Sequence, residues 1–261
     1  QKQLFILKLE EHYKRLLNSS KILSMKVKKN AKELTELTLE LVRKNGYKED
    51  LYIRPLVYKS AEKIGVRLHD IEDDITIFMS PFGDYLDVNK GIRCCVSTWM
   101  RIDDNMIPAR AKITGAYINS AFAKSEAIQN GFDEALLPDR SGHISEGSGE
   151  NLFIIRDGVV YTPPVSDNIL EGITRAALME LITAELKLKV VERSIDRSEL
   201  YISDEVFLCG TAAQVSPVVD IDHKKIGNGT PGPLTKKLSE VYFNVVKGND
   251  QRYKQWVTPV Y

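Results

Sequence analysis

Residues 144–153 read Ile-Ser-Glu-Gly-Ser-Gly-Glu-Asn-Leu-Phe. Two carboxylates, Glu146 and Glu150, stand four apart in a run of Gly and Ser, and an apolar strand begins at once with Leu152-Phe153. A solvated loop would scatter its acids. Here they are held where small residues let the backbone pack tightly and then enter a buried strand. That is a suitable place for an acid that must touch a flat, bulky ligand.

The chain has 261 residues, enough for one large or two medium domains with real cores. Its 43% hydrophobic and 28% charged content is ordinary for a globular protein. With 36 basic and 36 acidic residues, no basic face is implied and no nucleic-acid partner is expected. The four His residues are scattered, no Cys/His cluster has ligand spacing, and no metal is expected. Cys94, Cys95 and Cys209 read as buried thiols of a reducing, cytoplasmic setting. No apolar run approaches the roughly 20 residues of a membrane span, and no signal peptide is visible. The chain opens Gln1-Lys2-Gln3 without Met, so a preceding segment is expected.

Leu9, Tyr13, Leu16 and Leu17 form a helical stripe, with His12 and Arg15 sharing another side. Asn30-Ala31-Lys32-Glu33 resembles a capping box, and Leu34, Leu37, Leu41 and Val42 give its helix an apolar face that Asn45-Gly46 ends. Leu51 to Tyr58 reads as a strand with Tyr52, Arg54 and Leu56 on one face; an Arg inside such a run is unusual. Ile75 to Met79 is a second strand. Pro81, Gly83 and Asp84 break the pattern and put an interdomain linker at about 81–90. A small domain then spans about 1–80 and a large one 91–261.

The large domain opens with a strand at Ile92–Thr98. Lys112 sits among small and apolar residues, where desolvation would lower an ammonium pKa and favour the amine that forms a Schiff base. A helix from Tyr117 to Asn130 is apolar along Ile118, Ala121, Phe122, Ala127 and Ile128. Glu134 to Pro138 is a short strand, and Asp157-Gly158 is the turn of a hairpin. Gly172-Ile173-Thr174 opens a helix whose N–H groups and dipole suit a phosphate. Small residues at Gly210-Thr211-Ala212-Ala213 let backbone N–H groups approach an anion. Pro231 to Lys247 ends in a C-terminal helix.

Taken in order, these motifs closely resemble the class IV, or fold-type IV, pyridoxal-phosphate (PLP) aminotransferases, branched-chain amino acid aminotransferases in particular. The resemblance implies an α/β (α+β) fold of two domains with PLP at their interface. It makes Lys112 the Schiff-base lysine, Tyr117 the partner of the cofactor's phenolic oxygen, and Glu146 the carboxylate at the pyridine nitrogen. Glu150 is not expected to be catalytic. Arg15, Gly172, Ile173, Thr174, Gly210 and Thr211 are implied to hold the phosphate, with Leu170 near the ring. Tyr-Ile-Arg-Pro-Leu at 52–56 resembles the branched-chain form of its strand, so Tyr52, Arg54, Phe82 and Tyr85 are implied to line the substrate pocket. The family often has Trp where Phe82 stands. The backbone of Thr211-Ala212 is implied to bind the substrate α-carboxylate. A loop at Gly65-Val66 is implied to reach a neighbouring subunit of a homodimer or larger homo-oligomer. The expected reaction is amino transfer from Leu, Ile or Val to 2-oxoglutarate. Other activities of the same fold are a D-amino acid or (R)-amine transaminase and an aminodeoxychorismate lyase, and a non-catalytic homologue is a further reading. The family also has an N-terminal segment, with pocket aromatics, that has no counterpart here.

Overall fold

A computed structural model describes residues 3–83 and 90–261 of the chain. In chain order its elements are β1 (Phe5–Leu7), α1 (Leu9–Ile22), α2 (Ala31–Asn45), β2 (Leu51–Lys59), β3 (Asp73–Pro81), β4 (Ile92–Val96), α3 (Tyr117–Gln129), β5 (Glu134–Pro138), β6 (Ile144–Gly147), β7 (Asn151–Arg156), β8 (Val159–Thr162), α4 (Ile173–Leu181), β9 (Lys189–Glu192), α5 (Arg197–Leu200), β10 (Glu205–Gly210), β11 (Gln214–Ile221), β12 (Lys224–Lys225), α6 (Pro233–Val246) and β13 (Val257–Pro259). They gather into two compact units: residues 1–83 with 243–261, and residues 84–242.

In the first unit α2 begins at a complete capping box. Asn30 accepts from the Glu33 N–H, and the Glu33 carboxylate accepts from the Asn30 N–H. Gly46, at φ 67°, closes the helix in the left-handed conformation that glycine adopts without a Cβ clash. The helix buries Leu34, Thr38, Leu39 and Val42, while Leu37, expected on the apolar face, is exposed. Leu9 and Tyr13 of α1 pack there, and the Tyr13 and Thr38 hydroxyls share a short hydrogen bond. β2 and β3 form an antiparallel ribbon over nine register pairs, Leu51 with Pro81 through Lys59 with Asp73. The sequence pattern counts residues 243–261 with the large domain. The structure gathers them here, because β13 pairs antiparallel with β1 and Val260 enters the core of Leu9, Tyr13 and Leu34.

Among the described residues, the second unit is built on a nine-stranded mixed sheet in the order β6-β5-β4-β11-β10-β7-β8-β9, with β12 added beside β11. β4 pairs parallel with both β5 and β11, and the central β11-β10-β7-β8 run is antiparallel. The central strands β7 and β10 carry continuous apolar runs, residues 152–155 and 206–209, all buried, as strands covered on both faces require. Leu152, Ile154, Leu208 and Val206 lie in one cluster with Leu136 and Ile92. Phe153 and Phe207 are register partners whose rings stack at 4.9 Å. The Asp157-Gly158 turn has positive φ at both residues, the twist a two-residue hairpin prefers. α3 departs from expectation. It buries Ser120, Ala123 and Ala127 and leaves Ile118, Phe122 and Ile128 exposed. Small residues on the inner face let the helix approach the sheet, and the large apolar ones point away.

Candidate active site

β6 lies hidden in the Gly/Ser-rich stretch, and it carries Glu146 opposite Leu137 of β5. The Glu146 side chain is buried and held from three segments. Arg101 Nη2 lies 2.7 Å from Oε1. The Leu170 backbone N–H and Asn151 Nδ2 both donate to Oε2 at 3.0 Å. Asn151 Nδ2 also reaches the Leu170 carbonyl at 2.9 Å, which locks the turn before α4 to the start of β7. Burial raises the Glu146 pKa above the ordinary carboxylate value, while Arg101, the Leu170 N–H and Lys112 oppose that rise. A carboxylate offers about four acceptor sites. Arg101, Leu170 and Asn151 engage three, which leaves capacity for one more N–H donor.

Lys112 follows a turn closed by the Ala111 N–H to the Pro108 carbonyl at 3.1 Å. A short 3-10 turn, Thr114–Ala116, then leads into α3. The fold thereby returns Tyr117 to Lys112, whose Nζ donates to the Tyr117 hydroxyl at 2.5 Å. The expected desolvation of Lys112 is not met: its side chain is exposed, although Ala111 beside it is buried. Its placement comes from this hydrogen bond and not from burial.

At the start of α4, Gly172 is the N-cap, and it offers no side chain to cap the first N–H groups. A Cβ on Gly172 would meet Asn151 Oδ1 at 2.0 Å, so glycine there is a requirement of close approach. Thr174 is buried, and its hydroxyl is hydrogen-bonded to Tyr242. The backbone N–H groups of Ile173 and Thr174 are therefore better suited to an anion than the Thr174 hydroxyl. Gly210 pairs with Gln214 across the hairpin that joins β10 to β11 and lies against Gly149 and Glu150, with Thr211 exposed and Ala212 half-buried in the turn.

In the first unit, Tyr52, Arg54 and Phe82 come together. Arg54 Nη2 donates to the Tyr52 hydroxyl at 3.1 Å, and the Tyr52 and Phe82 rings are 5.2 Å apart. Arg15 is half-buried on α1. Tyr85 lies outside the described residues. Sequence reasoning misses Arg101 and the tie from Asn151 to Glu146. Arg101 sits in an aperiodic segment, and its partner is 45 residues away in sequence.

The family model for class IV amino-transferases matches residues 2–221 of this chain. That match puts the chain in a class of cofactor-dependent transferases. A probable branched-chain-amino-acid aminotransferase of Aquifex aeolicus is 54% identical over 261 residues, covering 100% of this chain and 84% of that protein. The branched-chain aminotransferase of Thermoproteus uzoniensis, solved with norvaline, superposes with a TM-score of 0.94 at 44% identity over 98% of this chain and 85% of that one. The enzyme of Thermobaculum terrenum in its PLP form gives 0.96 at 38% identity over 99% and 84%. The chain belongs to the class IV aminotransferases, and within them to the branched-chain-amino-acid aminotransferases.

The cofactor of this class is PLP, and the residues present fit it. Glu146 is a buried carboxylate with acceptor capacity for a ring N–H, the Lys112 amine is hydrogen-bonded to a tyrosine, and α4 starts at a glycine with no capping side chain.

Proposed function

We propose that the protein transfers the amino group of branched-chain L-amino acids (leucine, isoleucine, valine) to 2-oxoglutarate, giving branched 2-oxo acids and L-glutamate. The observation that carries this reading is the buried Glu146 clamp, with the Lys112–Tyr117 pair, in a chain 54% identical to a probable branched-chain-amino-acid aminotransferase. Lys112 would hold PLP, which would supply an electron sink for the pair of electrons released at the substrate Cα. Lys112 Nζ takes the Cα proton and delivers a proton on the product side as general acid/base. Tyr117 Oη orients that amine from 2.5 Å. Glu146 holds a proton at the ring nitrogen. The N–H groups of Ile173 and Thr174, and Thr211, would hold the cofactor phosphate, with Gly172 and Gly210 admitting the backbone and Leu170 serving the ring; the family resemblance assigns Arg15 to the same phosphate. Tyr52 and Phe82, which meet at 5.2 Å, would supply apolar surface and Arg54 beside them would pair with the distal carboxylate of glutamate; the Thr211-Ala212 backbone would bind the α-carboxylate.

We also infer a homodimer, or a larger assembly built of dimers, of cytoplasmic location. The exposed Trp99 and Phe122 rings stack at 4.6 Å beside exposed Met100 and Ile118, a patch suited to burial against a second copy. Ile64 and Val66 are fully exposed, as a loop that reaches a neighbouring subunit would be in one isolated chain. Cys94, Cys95 and Cys209 are buried and unpaired, in keeping with a reducing compartment.

The test is the visible absorption spectrum of the purified protein with L-leucine, with Lys112→Ala beside it. Bleaching by L-leucine and recovery with 2-oxoglutarate, both absent in Lys112→Ala, is the expected result. Bleaching by D-alanine but not L-leucine would replace this reading with a D-amino acid transaminase. Failure to take up PLP would replace it with a non-catalytic homologue.

A further inference from the structure

Asp139, His143 and Asp167 bring two carboxylates and an imidazole together at one edge of the second unit. One ligand atom from each lies within 4.8 Å of the other two. Asp139 follows β5 and His143 precedes β6, so both belong to the turn that joins these strands. Asp167 closes the 3-10 turn Val165–Asp167 that precedes Leu170. Asp139 and Asp167 are 7% and 6% exposed, and His143 is half-buried.

The partners of these groups leave ligand atoms over. Asp139 uses Oδ1 to accept from the Ser141 and His143 N–H groups, at 2.8 and 2.9 Å, which fixes the turn and directs Oδ2 toward His143. Nδ1 of His143 lies 3.9 Å from that Oδ2, too far for a hydrogen bond. Asp167 Oδ1 has a long 3.4 Å contact from the Ser166 hydroxyl, and its Oδ2 is buried with no hydrogen-bond partner among the described residues. An unpartnered carboxylate oxygen in the interior is costly unless a cation meets it. Arg140, the nearest guanidinium in sequence, is turned to Asp103 at 2.7 Å. On the outer side of the imidazole, Nε2 lies 3.7 Å from Asp196 Oδ1. A carboxylate behind a ligating histidine is the usual supporting partner of a metal site.

We propose that Asp139, His143 and Asp167 bind one divalent transition-metal ion, with Zn2+ the preferred occupant. An ion at about 2.0–2.2 Å from each ligand atom would draw the three together by modest side-chain movement. Two carboxylates and one neutral imidazole balance its charge and leave a position for water. The imidazole favours zinc over magnesium or calcium, which prefer all-oxygen shells. The ion would tie the β5–β6 turn to residues 165–167. Ser145, next to Glu146, already donates to the Asp167 carbonyl at 2.6 Å, so the metal would brace the strand that carries the buried acid. The site is structural, and the inference is independent of which amino acid is the substrate.

The experiment uses the full-length protein loaded with PLP, stripped of metal by a chelator and titrated with zinc chloride by calorimetry, with Tm followed in parallel. One saturable ion per chain and a raised Tm are expected. His143→Ala and Asp167→Asn should each weaken binding by more than the roughly 10–100-fold that loss of a supporting partner costs, and Asp196→Asn by about 10-fold. Mn2+ should bind more weakly than Zn2+. PLP absorbance and near-ultraviolet circular dichroism unchanged in the variants would show that they are folded. Asp167→Asn keeps the side-chain shape and removes the unpartnered charge, so it remains informative if His143→Ala fails to fold. No saturable binding by the parent chain, or binding undiminished in both variants, would overturn the proposal. Cys94, Cys95 and Cys209 are buried, which shields these thiols from zinc in the folded protein.

Discussion

Arg101 and Glu146 form a buried ion pair at 2.7 Å, with side chains only 11% and 7% exposed. Removing one member of such a pair leaves the other charged and unmatched, at a cost of about 3–5 kcal/mol. Arg101→Leu should therefore lower stability by about that amount at neutral pH, and the Glu146 pKa, already raised by burial, should rise further. A carboxyl whose folded pKa is raised holds a proton that the unfolded chain has released. Its penalty is absent below the unfolded value and grows as pH rises toward the folded one. The variant should regain stability in acid. Urea titrations of both proteins across pH will show this, and a loss of equal size at acidic and neutral pH would remove pairing as its cause.

Glu150 supplies a second pH dependence. Burial first, and Glu134 next, push its carboxyl from 4.5 up to about 8, against the Gly149 N–H and Lys124. Native protein then retains a proton between pH 4.5 and about 8 that the unfolded chain has lost, so stability falls as pH rises through that window. Glu150→Gln should flatten this fall. Each tenfold change in proton affinity is worth about 1.4 kcal/mol, so the variant should gain several kcal/mol above about pH 8 and little near pH 4. Denaturant midpoints against pH are the readout, and parallel curves for the two proteins would refute the assignment to Glu150.

The parts of the fold legible in the sequence are those decided over a few residues. The Asn30/Glu33 capping box and the Asp157-Gly158 turn are local agreements between side chain and backbone, and both occur as expected. The β1–β13 pairing joins Phe5 to Pro259, and no short-range signal announces it. β6 escapes notice because its Gly and Ser lack the apolar alternation of a half-buried strand. The outward face of α3 misleads because a large apolar stripe ordinarily marks the inner side. At the site, Lys112 and Tyr117 are each named by the sequence for the cofactor, and their hydrogen bond to one another is a feature only the structure shows. Arg101 and Asn151 matter only through Glu146, and that relation exists in three dimensions alone.

Gly172→Ala tests whether the clamp depends on close packing. The new Cβ would lie 2.0 Å from Asn151 Oδ1, and Asn151 cannot withdraw without loosening its hold on Glu146 and Leu170. Overpacking of this kind costs about 1–3 kcal/mol. The variant should lose that much stability and bind PLP about 10-fold more weakly, as measured by equilibrium dialysis. Unchanged PLP affinity would mean that Asn151 and the start of α4 do not position the cofactor.

Tyr117→Phe isolates the hydrogen bond to Lys112. Tyr117 Oη lies 2.5 Å from Nζ, and the ring centroid is 5.2 Å from that nitrogen, so Phe keeps the cation–π contact and removes only the hydroxyl. A hydrogen bond to a charged group contributes about 1.5–3 kcal/mol. If the hydroxyl orients Nζ for proton transfer at Cα, kcat should fall by about 10–100-fold while the KM for leucine changes little. The absorbance of bound cofactor should also shift, because the hydroxyl is implied to touch its phenolic oxygen. Pre-steady-state kinetics with leucine deuterated at Cα sharpen the outcome. A larger isotope effect in Tyr117→Phe than in the parent would locate the defect in the proton transfer itself, whereas a raised KM with unaltered kcat would make Tyr117 a binding residue only.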